Sequence, residues 1–294
     1  MSTPLFDRIA VIGFGLIGSS LGRAIRRHGL ARTLVATDAN PQALTDTEAL
    51  GLADIVTADP IEAVTGADLV MICIPVGSYA EIGKIIAPHL APGAIVSDVG
   101  SVKQSVIRDL APLIPAGVHL VPGHPISGTE KSGPLAGFAE LFEGRWTVLT
   151  PPEGTDRAAI DRVAALWRAI GSDVVEMDAA HHDKVLAITS HLPHLIAYTI
   201  VGTAVDLEAT LKSEVIKFSA GGFRDFTRIA ASDPVFWRDV FLNNREAVLE
   251  MLQRLTEDLS ALQRAIRWGE GDFLEERFAR AREIRRSVVE AKQA

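Results

Sequence analysis

Histidine and serine side chains near the middle of the chain have types and spacing that suit proton transfer. His124 lies in the segment 121–128, which reads Val-Pro-Gly-His-Pro-Ile-Ser-Gly. Pro125 favours an extended backbone at the residue before it, so we expect a rigid turn that holds the imidazole in a fixed direction. Because the unperturbed pKa of histidine is close to neutral pH, such an imidazole can serve as a general base. The alternative is a structural histidine whose ring binds the backbone.

Ser101 follows a predicted strand, residues 94–98, and offers a hydroxyl group near the same place. The carboxyl ends of parallel strands meet at one edge of a sheet, so this hydroxyl could reach His124 or a substrate oxygen. Ser101 and Gln104 also fit a capping box, which predicts that Ser101 is the N-cap of a helix. The turn that begins at Pro75, after the apolar run 69–74, is expected to face a cofactor.

A third group of polar side chains lies on a predicted helix that begins near residue 179. At about 100° per residue, Asp183, Ser190 and His194 share one face, and His191 points roughly 100° away from Ser190. Pro193 is expected to kink this helix, which then lines a polar site. The alternative is a pair of histidines with hydrogen bonds in a core. A metal site is not expected, because two histidines three residues apart with one nearby carboxylate form an incomplete ligand set.

Arginine and aromatic side chains follow in the segment 219–237. Arg224 and Arg228 are one helical turn apart, and Trp237 comes shortly after them. A guanidinium beside aromatic rings suits the binding of a carboxylate through two hydrogen bonds, although surface salt bridges are the alternative. The later helix, residues 247–268, carries a stripe that predicts either core or a dimer interface. Its members are Leu252, Leu255, Leu259, Leu262 and Ile266.

The N-terminal segment has the pattern of a dinucleotide site. An apolar strand, residues 9–13, leads into a glycine motif and then a helix. Gly13 permits the tight turn, Gly15 lets a pyrophosphate approach the backbone, and Gly18 lets the helix pack closely on the strand. The expected cofactor contacts are Gly13, Gly15, Leu16, Ile17 and Gly18.

The choice of cofactor depends on Asp38, which ends the second predicted strand. A carboxylate there can hydrogen-bond the adenosine ribose hydroxyls and repels a 2'-phosphate, so NAD is favoured over NADP. The alternative is a doubly wound domain that binds no nucleotide.

Apolar strands alternate with helices up to residue 177. This alternation predicts an α/β, Rossmann-type, doubly wound and mainly parallel sheet. Strands are also predicted at residues 146–149 and 173–176, on either side of a helix, 155–170. Beyond residue 177 no strand pattern recurs, so we expect domains at residues 1–177 and 178–294, the second all-α.

Composition and charge exclude several classes of partner. The 29 basic and 37 acidic residues give a net charge of -8, which argues against nucleic acid and anionic membranes. Cys73 is the single cysteine, so an internal disulfide is excluded, and we expect a buried core thiol.

Residues 1–8 lack a signal-peptide pattern, which favours a cytoplasmic protein. Residues 185–205 could span a bilayer by length, but their histidines and hydroxyls indicate a buried helix instead.

Taken together, the motifs resemble the prephenate/arogenate dehydrogenases of tyrosine biosynthesis, and look most like the bacterial cyclohexadienyl dehydrogenases, which accept either substrate. The resemblance implies NAD-dependent oxidative decarboxylation of prephenate to 4-hydroxyphenylpyruvate, or of arogenate to tyrosine. The matching segments, in order, are residues 13–20, 98–103, 123–128, 190–194 and 221–228.

The resemblance also implies roles for individual side chains. His124 accepts the proton of the substrate hydroxyl, and Ser101 orients that hydroxyl or the imidazole. Ser190 and His194 position the substrate, and Arg228 holds its ring carboxylate.

Further implications of the resemblance concern the pocket and the assembly. Asp183 and Trp237 are expected at the mouth or wall of the pocket. The family is similar in being dimeric through its helical domain, where the loop at Gly221 of one subunit approaches the site of the other. A separate allosteric site is not expected, because the sequence shows no additional regulatory domain.

Two other functions stay open. A 3-hydroxyacid or 6-phosphogluconate-type dehydrogenase also joins a Rossmann domain to helices, but such enzymes resemble one another in using a lysine of the helical domain. Here Lys184, at the start of the helix, is the one candidate. A non-catalytic NAD-binding sensor would bind nucleotide equally well after His124→Ala and would turn over no cyclohexadiene acid. The sequence leaves the preference between prephenate and arogenate open.

Overall fold

The computed structural model describes residues 3–129, 131–205, 214 and 217–290. The chain divides into two compact units, residues 1–245 and 246–294. The first unit extends past the predicted domain boundary at residue 177 because the helices that follow this residue pack on the elements before it.

A parallel sheet lies at the centre of the first unit. Its described strands run in the order β3-β2-β1-β4-β5-β6, and every neighbouring pair is parallel. Within β1, Ile9 and Val11 pack into one buried cluster, whereas Ala10 and Ile12 pack into another. Both faces are therefore covered, which explains the continuous apolar runs and confirms the doubly wound fold. The strands are β1 (Phe6–Ile12), β2 (Ala31–Thr37), β3 (Ile55–Thr57), β4 (Leu69–Ile72), β5 (Ile95–Asp98) and β6 (His119–Val121).

Helices between these strands cover the sheet. Asn40 caps α2 and Asp59 caps α3, and a proline follows each cap in the first helical turn. The N-cap of α1 is Gly15, which provides no side-chain cap, so the first amide groups of this helix are open to an anionic ligand. The helices are α1 (Leu16–His28), α2 (Pro41–Ala49), α3 (Pro60–Val64), α4 (Tyr79–Ile86) and α5 (Lys103–Leu110).

A second, smaller sheet carries His124. Its strands are β7 (Gly123–Pro125), β8 (Trp146–Leu149) and β9 (Asp173–Glu176). β7 pairs antiparallel with β8, where His124 lies opposite Val148, and β8 pairs parallel with β9. Helix α6 (Arg157–Ala169) connects β8 to β9. The predicted strands and helix in this part of the chain are confirmed. The predicted turn at His124 is wrong, because the extended backbone that Pro125 favours pairs with β8 and forms a strand.

The rest of the first unit is helical as far as the structure describes it. The elements are α7 (Ala179–Leu186), a π-helical turn (Ala187–His191), α8 (Leu192–Val205), α9 (Gly221–Thr227), a 3-10 turn (Arg228–Ala231) and α10 (Pro234–Asn243). The π-helical turn ends two residues before Pro193, where the sequence predicts a kink. A proline cannot donate to the carbonyl four residues back, and a wider turn accommodates that missing hydrogen bond.

The segment Ala179–Ala204 is long and apolar enough to cross a membrane by length and composition. It is interrupted by the π-helical turn, and it buries His182, Asp183 and His191 completely. Only 28% of the most apolar window is buried within this chain, so the predicted burial holds at these three residues but not along most of that window.

The second unit contains most of α11 (Arg245–Trp268) and α12 (Gly271–Glu290). An ion pair between Arg277 and Asp258 joins the two helices. Leu259 and Ile266, from the predicted apolar stripe, are 55% and 68% exposed. These two positions are therefore not part of a core within this chain.

Candidate active site

His124 is buried in β7 and touches another histidine. Its Nδ1 atom lies 2.9 Å from Nε2 of His182, in α7. Nδ1 of His182 lies 2.8 Å from Oδ1 of Asp183. The three side chains form a continuous line of hydrogen bonds from the small sheet to the helical segment.

Asp183 also fixes the start of α5. Its Oδ1 and Oδ2 atoms accept hydrogen bonds from the backbone amides of Lys103 and Gln104, at 2.7 and 2.9 Å. The N-cap residue of α5 is Val102, with no cap from a neighbouring side chain. The predicted capping box at Ser101 is therefore wrong, because a carboxylate from α7 performs this function. Asp183 is fully buried by these contacts, and the expected contact with substrate stays a prediction.

A buried ion pair holds the Ser101 loop next to the His124 strand. Lys103 Nζ lies 2.5 Å from Asp98 Oδ2 and 2.6 Å from the carbonyl oxygen of Gly123. The Asp98 carboxylate also accepts hydrogen bonds from the amides of Gly100, at 2.7 Å, and Gly123, at 3.1 Å. Since Gly100 precedes Ser101 and Gly123 precedes His124, one carboxylate fixes both loops. The described side chains show no hydrogen bond between Ser101 and His124, so the expected contact would have to pass through the substrate.

The buried surroundings keep both histidines neutral. Burial is the main cause that lowers the pKa of His124 well below its usual value, and His182 and the charge of Lys103 lower it further. Burial also lowers the pKa of His182, although the hydrogen bond to Asp183 opposes this effect. At neutral pH, His124 is therefore an uncharged imidazole that can accept a proton.

His194 and Trp237 pack against one another in the helical part of the first unit. The two rings are stacked, with centroids 3.6 Å apart. Nδ1 of His194 donates to the carbonyl oxygen of Ser190, at 2.9 Å, and since a carbonyl only accepts, the proton lies on Nδ1. Burial lowers the pKa of His194, and the positive charge of Arg228 lowers it further. Nε2 of His194 is thus an acceptor close to a guanidinium.

Asn244 at the end of α10 fixes the remaining histidine. Its Nδ2 atom donates to the Asp183 carbonyl oxygen, at 2.8 Å, and bonds Nδ1 of His191, at 3.0 Å. Because Asn244 donates, Nδ1 of His191 is the acceptor and Nε2 carries the proton. This Nε2 atom is buried without a hydrogen-bond partner among the described residues.

Gly221, the other expected residue, begins α9, which ends just before Arg228.

The glycine motif fits a dinucleotide. A Cβ atom added at Gly13, where φ is +90°, would lie 2.6 Å from the Cys73 carbonyl oxygen, and one at Gly18 would overlap the Gly13 carbonyl oxygen. At Gly15 the same atom would meet nothing within 4 Å, so the chain leaves open space at the helix N-terminus. These are the three requirements of a pyrophosphate site: a tight turn, close helix packing and an accessible backbone.

Asp38 and the Pro75 turn complete this region. Asp38 lies just beyond β2, where its Oδ2 atom accepts from the Phe14 amide, at 2.6 Å, and its Oδ1 atom accepts from the Asn40 amide, at 2.8 Å. The Pro75 turn follows β4, which β1 separates from β2 in the sheet; Pro75 itself is exposed, whereas Val76 is buried. Cys73 lies directly after β4 and packs against the core, but it is only partly buried; burial is the main cause that raises the pKa of its thiol.

Three important side chains escaped the sequence reasoning. His182, Lys103 and Asn244 are buried polar groups, and each has at least one hydrogen-bond partner that is distant along the chain. For His182, the available signal was its position directly before an aspartate on a helix.

No group of histidine, cysteine and carboxylate side chains in the described residues could hold a metal ion.

The chain was compared with known proteins. Residues 21–176 match the family model of the prephenate dehydrogenase nucleotide-binding domain, and residues 178–280 match that of its dimerization domain. The chain is 43% identical to the cyclohexadienyl dehydrogenase of Zymomonas mobilis over 96% of both proteins. Its fold is similar to that of Aquifex aeolicus prephenate dehydrogenase in complex with hydroxyphenyl propionate and NAD+, with a TM-score of 0.88, 33% identity and coverage of 98% and 99% of the two chains. It is also similar to Synechocystis arogenate dehydrogenase, with a TM-score of 0.80, 26% identity and coverage of 96% and 99%. Together with the buried histidines and the glycine motif, these matches establish that the chain belongs to the prephenate dehydrogenase family.

Proposed function

We propose that this protein catalyses the NAD-dependent oxidative decarboxylation of prephenate to 4-hydroxyphenylpyruvate, of arogenate to tyrosine, or of both. The observation that carries the proposal is a buried, neutral His124 in a member of the prephenate dehydrogenase family. The close relative from Zymomonas mobilis is a cyclohexadienyl dehydrogenase, and the Aquifex aeolicus enzyme was crystallised with NAD+ and a hydroxyphenyl compound.

In the reaction, His124 removes the hydroxyl proton while a hydride leaves the carbon that bears this hydroxyl. Loss of carbon dioxide then returns its bonding electrons to the ring, which becomes aromatic. NAD, when bound, supplies the hydride acceptor. A neutral imidazole suits the proton transfer, and Ser101, on the loop tied to the His124 strand through Asp98, orients the hydroxyl. Aromatisation drives the decarboxylation, so this mechanism requires no metal ion.

The cofactor site is formed by the first turn of α1 and the strand ends beside it. Gly13, Gly15 and Gly18 shape the backbone for the pyrophosphate, and Leu16 and Ile17 place amide groups of the first helical turn toward it. Asp38 binds the adenosine ribose, and the Pro75 turn and Ser101 approach the nicotinamide half.

The substrate site lies on the helical segment. Arg228 holds the ring carboxylate, and its effect on the pKa of His194 supports the proximity of these two residues. Ser190 and His194 position the rest of the substrate against Trp237. Asp183 supports the site through its hydrogen bonds to the first amides of α5 and to His182.

We also propose a cytoplasmic homodimer with functional domains at residues 1–177 and 178–294. The bounds of the two family matches support this division, and the second of them is a dimerization domain. Exposed Leu259 and Ile266 on α11 support an interface there, because apolar side chains that share one stripe favour contact with a partner. In this assembly, the loop at Gly221 of one subunit approaches the site of the other.

The test is a steady-state assay of the purified protein with NAD, in which prephenate, arogenate and 3-hydroxyisobutyrate are compared by NADH absorbance. We expect NADH formation with prephenate or arogenate, together with carbon dioxide and the aromatic product. Turnover of the hydroxy acid instead would favour the 3-hydroxyacid dehydrogenase class. Tight NAD binding without turnover of any of the three would favour the sensor and refute the proposal.

A further inference from the structure

A buried line of hydrogen bonds leads away from the imidazole of His124. His124 Nδ1 contacts His182 Nε2 at 2.9 Å, and His182 Nδ1 contacts Asp183 Oδ1 at 2.8 Å. The three residues are buried, so solvent does not compete for these contacts. The position of each proton along this line can be worked out from its far end.

The far end is Asp183, which must act as an acceptor with both oxygens. Its Oδ1 atom accepts from the Lys103 amide and its Oδ2 atom accepts from the Gln104 amide. A carboxylate with backbone donors on both oxygens is ionised, so Oδ1 can only accept from His182 as well. Nδ1 of His182 therefore carries a proton.

The two imidazoles follow Asp183 along this line of hydrogen bonds. Because burial lowers the pKa of His182, its ring is neutral, and with the proton on Nδ1 its Nε2 atom holds a lone pair. The hydrogen bond between the two histidines then requires His124 to donate through Nδ1. A neutral His124 with its proton on Nδ1 has an unprotonated Nε2 atom, which is the nitrogen that can take a proton from a substrate.

We propose that His182, held by Asp183, is a positioning residue that fixes His124 in the tautomer with a basic Nε2 atom. This inference rests on the proposed function, in which His124 is the proton acceptor. In water, neutral histidine prefers the opposite tautomer, with the proton on Nε2, so the pair selects the form that is less favoured without it. The logic is that of an aspartate that orients the histidine of a serine protease, with a second imidazole inserted between the carboxylate and the base.

The same contacts assist the base after it has reacted. When His124 accepts a proton at Nε2, its Nδ1 proton stays hydrogen-bonded to His182, and the negative charge of Asp183 lies behind that ring. Without this acceptor, a buried imidazolium would lose a charge-assisted hydrogen bond.

The test compares two amides at position 182. His182→Gln places its amide close to the former Nε2 atom and can accept from His124. His182→Asn is one methylene shorter, so it reaches the former Nδ1 position and Asp183 but not His124. We expect kcat for prephenate oxidation to fall about 100-fold in His182→Asn and no more than about tenfold in His182→Gln, because general base catalysis contributes about 10²–10⁴-fold. The KM for NAD stays within about threefold of the wild-type value in both.

The matched control is His181, the exposed neighbour on the same helix. His181→Asn and His181→Gln carry the same chemical changes outside the line of hydrogen bonds, and we expect kcat to stay within about twofold of the wild-type value. Equal losses in His182→Asn and His182→Gln, with NAD binding intact, would overturn the proposal.

A spectroscopic measurement separates this inference from the proposed function. In ¹⁵N-histidine-labelled protein saturated with NAD, long-range ¹H–¹⁵N spectra distinguish protonated from unprotonated ring nitrogens, and the His124 signals are assigned from their loss in His124→Gln. We expect a protonated Nδ1 in the wild type and in His182→Gln, and a shift toward protonated Nε2 in His182→Asn. The same tautomer in all three would refute the inference even if prephenate is oxidised. Absence of turnover in the wild type would refute the proposed function while leaving the tautomer readable.

Discussion

The buried ion pair between Lys103 and Asp98 gives the sharpest prediction about stability. Both side chains are 0% exposed. Lys103→Met removes the ammonium group at similar volume and leaves the Asp98 carboxylate buried without its counter-charge. Removal of one partner of a buried pair costs about 3–5 kcal/mol. Because Gly100, Gly123 and Tyr79 still donate to Asp98, we expect a loss in unfolding free energy of about 3 kcal/mol, at the low end of that range.

A double-mutant cycle tests the reasoning. Asp98→Asn likewise leaves the Lys103 ammonium group buried without its counter-charge. The double variant, Lys103→Met with Asp98→Asn, contains neither charge. The combined loss should therefore be smaller than the sum of the single losses by about 2 kcal/mol or more. Urea denaturation at pH 7 and fixed protein concentration, followed by tryptophan fluorescence, measures each value. Lys84→Met, at an exposed lysine of α4, is the control and should stay within about 0.5 kcal/mol of the wild type. Strictly additive losses would show that the two charges do not depend on one another.

Two other predictions concern the glycine motif and the pH dependence of stability. Gly15→Ala should leave the unfolding free energy within about 0.5 kcal/mol of the wild type but weaken NAD binding at least tenfold, as measured by calorimetry. Gly18→Ala should destabilise the fold by about 2 kcal/mol or more, because its Cβ atom meets the Gly13 carbonyl oxygen. Equal stabilities of the two variants would contradict this prediction. Burial lowers the pKa of His191 to about 4, so this residue contributes stability that is present above pH 6.5 and lost as the pH falls through 4. In urea titrations from pH 7 to 4, His191→Gln should remove about 3 kcal/mol of the wild-type decline, and parallel curves would refute the assignment.

Much of the fold follows from local patterns in the sequence. The glycine motif, the apolar strands and the helix between β8 and β9 each depend on residues close together in the chain, and each is present where the sequence predicts it. For His124 the local pattern gives only the extended backbone that Pro125 favours; the strand in place of the predicted turn depends on pairing with β8, which is distant along the chain.

The contacts that organise the site depend on distant residues, which explains the errors. Ser101 and Gln104 match a capping box, but Asp183, far along the chain, supplies the cap of α5. The helical periodicity that groups Asp183 with Ser190 and His194 assumes regular α-helical spacing, which the π-helical turn at Ala187–His191 interrupts. The role of His182 could not be predicted from its helix alone, because its contact with His124 forms only when the small sheet packs against that helix.

His124 is the proposed proton acceptor in the oxidation of prephenate or arogenate. The most direct measurement is kcat for both substrates in His124→Asn, with the NAD dissociation constant determined on the same protein. We expect kcat to fall by at least about 100-fold, since a general base contributes about 10²–10⁴-fold, with NAD affinity within about threefold of the wild-type value. A variant that retains kcat within about threefold while binding NAD normally would show that another group takes the proton.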